Sequence, residues 1–593
     1  MQPDSQTPMP AGADARDSYA ATAFGEIVDR SLHAAAARYT LGLSPAALAA
    51  AYMDWAVHLA SSPGKRMILA DKAARKWLRL ANWTAHCAGA GGSAPCIVPL
   101  PQDRRFRDPA WNTWPFNLYS QAFLLQQQWW HNATTDVRGV EREHEDVVSF
   151  VARQMLDMVA PTNFLATNPR LLRRTVESGG LNLLHGMQGL FEDWQRNIAG
   201  RKPEGTEAFA VGETVAVTPG RVILRNRLIE LIQYAPTTAQ VRPEPVVIVP
   251  AWIMKYYILD LSAQNSLVKY LTGQGFTVFM ISWKNPTAED RDLDMEDYRL
   301  LGVNAAIDAA LRVTGAARAH AVGYCIGGTL LAIAAAAMAR DGDDRLASLT
   351  FFATQTDFTE AGELMLFINE SQLTFLEDMM WEQGFLDAAQ MAGAFQILRS
   401  NDFVWSRIID QRMMDEPTPM SDLMAWNADS TRMPYRMHSV YLRHLFLHND
   451  LAEGRWLAGG RPVALADIRA PIFAVGTTAD HVAPWRSVFK IHLLTETAVT
   501  FLLTSGGHNA GIVSEPGHPH REYQIREGKA EARYIDPDTW QQTTPKHEGS
   551  WWPAWAAWLA ERSGPPGPPP PMGDEAHGLA PLYDAPGRYV LEA

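Results

Sequence analysis

Cysteine is scarce in this sequence. The 593 residues include only three, Cys87, Cys96 and Cys325. So few cysteines, in odd number, exclude the disulfide framework of a small secreted domain and favour a reducing compartment, so we expect a cytoplasmic protein. Cys87 and Cys96 form no Cys-x-x-Cys pair, and no zinc or other metal site is expected.

Positive charge is also in short supply. The chain has 52 Lys and Arg against 65 Asp and Glu, which gives a formal net charge of −13. Without a summed positive field, the protein is not expected to bind nucleic acid. The sequence also lacks a Gly-x-x-x-x-Gly-Lys-[Ser/Thr] phosphate loop. Any phosphate-bearing ligand must therefore be held by local groups.

Long apolar runs are rare as well. Residues 1–19 lack the basic and apolar regions of a secretory signal, and we predict a disordered tail there. The uncharged stretch 322–339 reaches the length of about 18 residues at which a membrane span is considered. Ala and Gly dominate it, and the Gly-rich pattern at its head favours a strand, a sharp turn and a buried helix. We therefore predict no transmembrane segment.

The chain changes character along its length. Patterns rich in Ala, Leu, Gln and Trp predict an α-helical N-terminal domain over 20–215. Short apolar strands alternate with helices over 216–563, which predicts an α/β domain with a mostly parallel sheet. This alternation stops at 358–465, hereafter the insertion, which we interpret as a lid over the site. Residues 564–593 begin with a polyproline stretch and are expected to form a loosely attached C-terminal tail.

The strongest local signal is the hexapeptide Gly-Tyr-Cys-Ile-Gly-Gly at 323–328, between a predicted strand and a predicted helix. The nucleophile elbow of α/β-hydrolases has the pattern Gly-x-Ser-x-Gly at this position, because only small neighbours let the chain pass through the strained turn. Cys325 replaces the serine, and a helix N-terminus favours its thiolate. The alternative is a buried structural cysteine beside two packing glycines.

Two further residues complete a nucleophile, acid and histidine order. Asp480 follows the predicted strand PIFAVG, and His508 follows the next strand, AVTFLLT. In an α/β-hydrolase these two groups lie on loops after later strands, in this order. Because ligands bind at the carboxyl ends of parallel strands, we predict a Cys325-His508-Asp480 triad.

Other side chains compete for the acid position. Asp357 follows the strand after the elbow, and Asp260 lies in YYILDL; either one is also explained by a structural or capping role. Asp480 is favoured by strand order, and we interpret the neighbouring His481 either as a residue that supports the site from outside or as a structural residue.

Stabilisation of an oxyanion requires two amides near the nucleophile. The first candidate is the amide of Ile326, directly after the cysteine. The second lies in the loop after the strand VVIVP, in the tripeptide 252–254, and we assign it to Ile253.

Ten segments in one order resemble the class I polyhydroxyalkanoate synthases, the enzymes that polymerise (R)-3-hydroxyacyl-CoA into polyester. The segments are DRRFRDPAW at 103–111, NFLATNP at 163–169, ESGGLNLL at 177–184, PAWIMKYYILDL at 250–261, SWKNP at 282–286, GYCIGG at 323–328, WNAD at 426–429, MHSVYLR at 437–443, DHVAPW at 480–485 and GGHNAG at 506–511. One position departs from the family pattern. Relatives often have Trp-Ile-Asn-Lys, and this chain has Met254 in place of the asparagine, which puts a role of that side chain in doubt.

The resemblance implies an α/β-hydrolase fold with a lid and an acyltransferase of (R)-3-hydroxyacyl-CoA, most simply 3-hydroxybutyryl-CoA. It implies that Cys325 accepts the acyl group, that His508 removes protons and that Asp480 assists. It also implies a homodimer associated with polyester granules and their coating proteins, with no cofactor beyond the coenzyme A that leaves. The alternatives are a Cys-dependent thioesterase or depolymerase of the same fold and a catalytically silent granule partner.

Overall fold

A mixed sheet of eleven strands forms the centre of the protein, in a computed structural model that describes residues 19–40, 42–89, 94–387, 390, 405–531 and 533–592. We number its strands β1–β11 along the chain. They are β1 Gly220–Arg225, β2 Ile229–Tyr234, β3 Val246–Val249, β4 Val278–Trp283, β5 Ala319–Tyr324, β6 Leu346–Phe352, β7 Ile472–Thr477, β8 Val499–Thr504, β9 Glu522–Gly528, β10 Lys546–Glu548 and β11 Tyr583–Asp584. Their spatial order is β10-β9-β8-β7-β6-β5-β3-β4-β2-β1-β11.

The six central strands, β3 to β8, pair in parallel, as the alternating pattern predicts. The strands β3, β4, β7 and β8 are fully buried, which explains why they read as continuous apolar runs. The flanks are antiparallel and were not predicted. The flanking strand β9 consists mostly of polar residues, and its charged residues are exposed. Its sequence therefore lacks the apolar run that identifies a central strand.

Helices cover both faces of the sheet. Those of the α/β region outside the insertion are Leu267–Gly273, Met295–Asp297, Ala305–Thr314, Ile326–Arg340, Trp485–Phe489, Ile491–Leu494, Pro537–Thr543 and Trp552–Glu561. The apolar run 322–339 forms the end of β5 and the helix Ile326–Arg340, which is buried from Ile326 to Met338. Within the described part of the chain, no helix is both long and apolar enough to cross a membrane.

Seven α-helices occupy the described residues between 19 and 198. They are Tyr19–Thr40, Pro45–Ala60, Pro63–Gly89, Phe116–Thr134, Arg142–Met158, Pro169–Glu177 and Leu181–Ile198. Several begin at the expected signals: Ser44 and Asn168 each cap a helix whose first residue is proline, and each side chain accepts a hydrogen bond from a main-chain N–H of that first turn. The predicted tail at 1–19 lies outside the described residues except for Tyr19.

The insertion contains the helices Glu370–Gln383, Asp422–Asn427 and Tyr435–Val440 and the π-helical turns Ile408–Met413 and Tyr441–Leu447. The N-terminal helices hold it at several places. At one, the Ser44 amide donates to Gln372 Oε1 at 2.8 Å and His33 Nδ1 lies 2.7 Å from Asp378 Oδ2. At another, Arg412 forms an ion pair with Asp193 at 2.6 Å.

The segment 564–592 differs from the loosely attached tail that the polyproline stretch suggested. Its strand β11 pairs with the outer edge of β1. The carboxylate of Glu230, which is fully buried on β2, accepts hydrogen bonds from the amides of Arg588 at 2.7 Å and Tyr589 at 3.0 Å. The open edge of a sheet offers unpaired main-chain groups, and this segment satisfies them.

Candidate active site

Cys325 lies at a sharp turn between β5 and the helix Ile326–Arg340. It has a φ of 53° and a ψ of −126°, a conformation that costs a non-glycine residue about 1–3 kcal/mol. Its amide donates to the carbonyl of Phe352 on β6 at 2.9 Å, and its carbonyl accepts from the amide of Gly328 at 2.9 Å. The neighbouring strand and the first helical turn thus hold the cysteine in the strained geometry of a nucleophile elbow.

The glycines around Cys325 are required by close approach. A Cβ on Gly323 would lie 2.3 Å from the Cα of Gly328, and a Cβ on Gly327 would lie 2.4 Å from the carbonyl oxygen of Val249. A Cβ on Gly328 would lie 1.9 Å from the hydroxyl of Thr354. The turn therefore fits only because three of its six residues have no side chain, and the helix start packs directly against the end of β3.

His508 and Asp480 meet at the same end of the sheet. His508 Nδ1 lies 2.8 Å from Asp480 Oδ2, and their side chains are 11% and 0% exposed. The other oxygen of the carboxylate accepts from the amides of Val482 and Ala483, both at 2.8 Å. Asp480 is therefore held as an ionised acceptor, and because Nδ1 is bonded to it, Nε2 is the ring nitrogen left for the thiol of Cys325, whose charge acts on the ring.

The charges of this pair shift both pKa values. Burial alone would lower the pKa of His508, but the negative charges of Asp480 and Cys325 outweigh it and hold that pKa well above 6.5. Burial would raise the pKa of Asp480, but the positive His508 and two main-chain amides keep it below its usual value. The site thus favours an imidazolium beside a carboxylate, next to a sulfur that can carry negative charge.

These shifts predict a pH-dependent stability. Because the pKa of His508 is raised on folding, its contribution is fully present below about pH 6.5 and is lost as the pH rises through the folded pKa. We expect wild type to unfold at a higher temperature than His508→Gln at pH 6, and the gap to narrow towards pH 10. Thermal unfolding at matched ionic strength measures it, and repeating the comparison in a Cys325→Ser background isolates the contribution of Asp480. A difference in unfolding temperature that stays constant with pH would contradict the raised pKa of His508.

The two candidate oxyanion amides come from elements that touch each other. Ile326 is the first residue of its helix, so its N–H has no acceptor within that helix. Ile253 lies in the loop after β3, whose residue Pro250 contacts the helix start: a Cβ on Gly327 would be 2.5 Å from its carbonyl oxygen. The Met254 side chain is partly buried against the core. Because methionine has no amide group, it cannot make the side-chain hydrogen bonds that an asparagine would make there.

Several residues around the cysteine were not identified from the sequence. The Tyr324 hydroxyl donates to Asn509 Oδ1 at 2.5 Å, and its ring lies 5.6 Å from that of His508. Tyr441, from a π-helical turn of the insertion, has a pKa raised well above 10 by burial and by the charge of Cys325. Tyr324 and Asn509 adjoin predicted site residues, which is a signal. Tyr441 follows no strand of the sheet, and its only signal is its place in the segment MHSVYLR, which shares the family resemblance.

The competing acids have structural partners elsewhere. Asp357 accepts from the amide of Thr359 at 2.8 Å and lies 3.5 Å from Lys490 Nζ. Asp260, which is 1% exposed, accepts from Thr218 and Ser266 hydroxyls at 2.5 and 2.7 Å. Neither carboxylate is hydrogen-bonded to His508 in the structure.

Clusters of three or more His, Cys, Asp or Glu side chains that could hold a metal ion do not occur among the described residues. Cys96 forms no disulfide bond with a described residue, and the side chain of Cys87 lies outside what the structure describes.

Comparison with known families gives matches over most of the chain. Residues 102–271 match "Poly-beta-hydroxybutyrate polymerase (PhaC) N-terminus", residues 23–65 match "Poly-beta-hydroxybutyrate polymerase N terminal" and residues 244–513 match "alpha/beta hydrolase fold". The last match and the parallel centre of the sheet confirm the predicted fold class.

Three similar proteins carry the name poly(3-hydroxyalkanoate) polymerase or a subunit of it. The protein of Methylorubrum extorquens is 43% identical over 77% of this chain and 76% of its own length. That of Rhizobium meliloti is 39% identical over 76% of this chain and 74% of its own. That of Cupriavidus necator is 35% identical over 85% of both.

Proposed function

Because this chain belongs to the poly(3-hydroxyalkanoate) polymerase family and is an acyltransferase, we propose that it builds its polyester through a covalent thioester on Cys325. The observation that carries the proposal is the placement of Cys325, His508 and Asp480 at one end of the parallel sheet, with Nδ1 of His508 bonded to Asp480 and its pKa raised by the charges of Asp480 and Cys325. A nucleophile, a base and a group that orients the base are the parts that covalent acyl transfer requires.

In the first half of the cycle, the sulfur of Cys325 attacks the thioester carbonyl of (R)-3-hydroxybutyryl-CoA. The bond from the carbonyl carbon to the sulfur of CoA breaks, and His508 gives the departing thiolate the proton it took from Cys325. One thioester replaces another, so the bound acyl group stays activated. Amides of Ile326 and Ile253 stabilise the negative charge on the carbonyl oxygen.

In the second half, the 3-hydroxyl of another hydroxyacyl unit attacks the acyl group on Cys325. His508 accepts the hydroxyl proton, an ester bond forms, and the Cys325 thiolate leaves. Asp480 stabilises the imidazolium in both halves, since its carboxylate holds Nδ1 at 2.8 Å. No metal or prosthetic group is needed in this scheme.

Water competes with the hydroxyl for the acyl group. The insertion supplies aromatic side chains near the elbow: the charge of Cys325 contributes to raising the pKa of Tyr441, whose half-buried ring packs on the buried rings of Phe358 and Phe446. An apolar wall of this kind excludes water from the thioester and favours ester formation over hydrolysis. We infer that the insertion is the lid of the site. We also infer that the protein is a cytoplasmic homodimer, and that its polymer product keeps it at the surface of granules.

The test is a CoA-release assay with short-chain and medium-chain (R)-3-hydroxyacyl-CoA, followed by extraction of polymer. We expect CoA release with 3-hydroxybutyryl-CoA together with insoluble polyester. Free hydroxy acid without polymer would show a hydrolase instead. Absence of acyl labelling on Cys325, with substrate present, would favour a silent partner protein.

A further inference from the structure

The oxyanion loop, residues 250–255, is held by a residue far away in the chain. Thr431 belongs to the insertion and is 3% exposed. Its hydroxyl donates to the carbonyl of Trp252, and its amide donates to the carbonyl of Ile253 at 3.1 Å. A single threonine therefore binds two successive carbonyls of the loop that supplies a candidate oxyanion donor.

Peptide geometry converts these two bonds into an orientation. A trans peptide is planar, and its C=O and N–H point in opposite directions. The carbonyl of Trp252 shares its peptide plane with the N–H of Ile253, so the bond from the Thr431 hydroxyl fixes the direction of that N–H. The Thr431 amide fixes the next plane in the same way. The two peptide planes that flank Ile253 are thus both held by Thr431, from one side of the loop.

The segment around Thr431 is itself fixed. Ser430 pairs with Met254 in an antiparallel bridge, and the Arg432 amide donates to Asn285 Oδ1 at 2.9 Å. The Trp426 indole donates to the carbonyl of Lys255 at 2.8 Å. The insertion therefore lies alongside residues 252–255 of the loop, and the residues on both sides of Thr431 are held in place.

We infer that Thr431 is a positioning residue for acyl transfer: its hydroxyl aims the Ile253 amide at the oxygen of the thioester carbonyl as that oxygen becomes negative. This inference rests on the proposed function. A donor that is oriented before the reaction costs no reorganisation when the charge develops, which is the source of its effect on rate. The Thr431 hydroxyl and amide both bind carbonyls of the loop, and neither is hydrogen-bonded to Cys325, so the residue acts through the loop.

The experiment compares Thr431→Val, which keeps the shape and loses the hydroxyl, with Thr431→Ser, which keeps the hydroxyl. Removing one oxyanion donor lowers kcat by about 10²–10³-fold in other acyl-transfer enzymes, so misaiming one predicts a loss of about 10-fold or more. We expect Thr431→Val to lose at least this much in kcat for CoA release, with KM within about twofold, and Thr431→Ser to restore most of it.

A matched control is Thr544→Val. Thr544 is equally buried, and its hydroxyl donates to the carbonyl of Trp540 at 2.6 Å, far from the loop in sequence. We expect this variant to keep the wild-type kcat. If Thr431→Val does not fold, Thr431→Ala is compared with Thr431→Ser in its place.

A second readout separates positioning from general damage. Alkylation of Cys325 by iodoacetamide, followed by mass spectrometry of its peptide, depends on the thiolate but forms no oxyanion. We expect Thr431→Val to be alkylated at the wild-type rate while its CoA release falls. An unchanged kcat, an equal fall of alkylation and CoA release, or no rescue by serine would each overturn the inference. Failure of the proposed function differs, because wild type itself would then form no acyl group on Cys325.

Discussion

Cys325→Ala is expected to lose CoA release and polymer formation together, by at least about 10⁴-fold, because in the proposed mechanism Cys325 carries the acyl chain. Alanine keeps a Cβ at the strained φ of 53°, so the elbow and its hydrogen bonds to Phe352 and Gly328 are retained. The two activities are measured on the same sample, as free thiol released and as polymer extracted.

The control for this variant is a measurement that its fold is retained. The unfolding temperature of Cys325→Ala should stay within a few degrees of wild type, since one partly buried thiol is removed. Cys325→Ser keeps a nucleophile of the same shape but holds the chain as an oxyester, which is less activated, and should elongate far more slowly. CoA release at the wild-type rate by Cys325→Ala would place the acyl carrier elsewhere.

Asp480→Asn is expected to lower kcat for CoA release by about 10²–10⁴-fold. The amide is neutral, so it cannot stabilise the imidazolium that forms when His508 takes a proton. Its NH₂ group can also face the ring and favour the wrong tautomer. Steady-state CoA release at saturating substrate measures the loss, and KM should change much less.

The matched control is Asp357→Asn, the other aspartate that follows a strand next to the elbow. Its carboxylate binds Thr359 and lies near Lys490 rather than His508. We expect this variant to keep kcat within about threefold of wild type. Equal losses in both variants would mean that Asp480 acts through the fold, and a larger loss in Asp357→Asn would reverse the assignment.

The sequence was sufficient to predict the elements that are determined by neighbouring residues in the chain. The central strands are apolar runs bounded by turns, and the elbow needs glycines where a Cβ would collide with the main chain, so both leave a readable pattern. The order of Cys325, Asp480 and His508 could be predicted because parallel strands bring their carboxyl ends to one edge. Their hydrogen bonds could not, since these depend on loop conformation.

Contacts between distant segments left no such pattern. Thr431 reaches the loop after β3 from 179 residues away, and a threonine in the insertion looks like any other polar residue. The segment after the polyproline stretch was expected to be loose because composition describes only local stiffness. Its attachment is decided by a buried carboxylate on β2, which its own sequence does not show.

If the insertion is the lid, as proposed, its attachments to the N-terminal helices limit how the site can open. Any outward displacement of the insertion must either carry those helices along or break the Asp378–His33 and Arg412–Asp193 pairs. The free energy of opening is therefore partly decided on a surface remote from Cys325. On this proposal, substitutions in the N-terminal helices would change the rate of turnover without contacting the substrate.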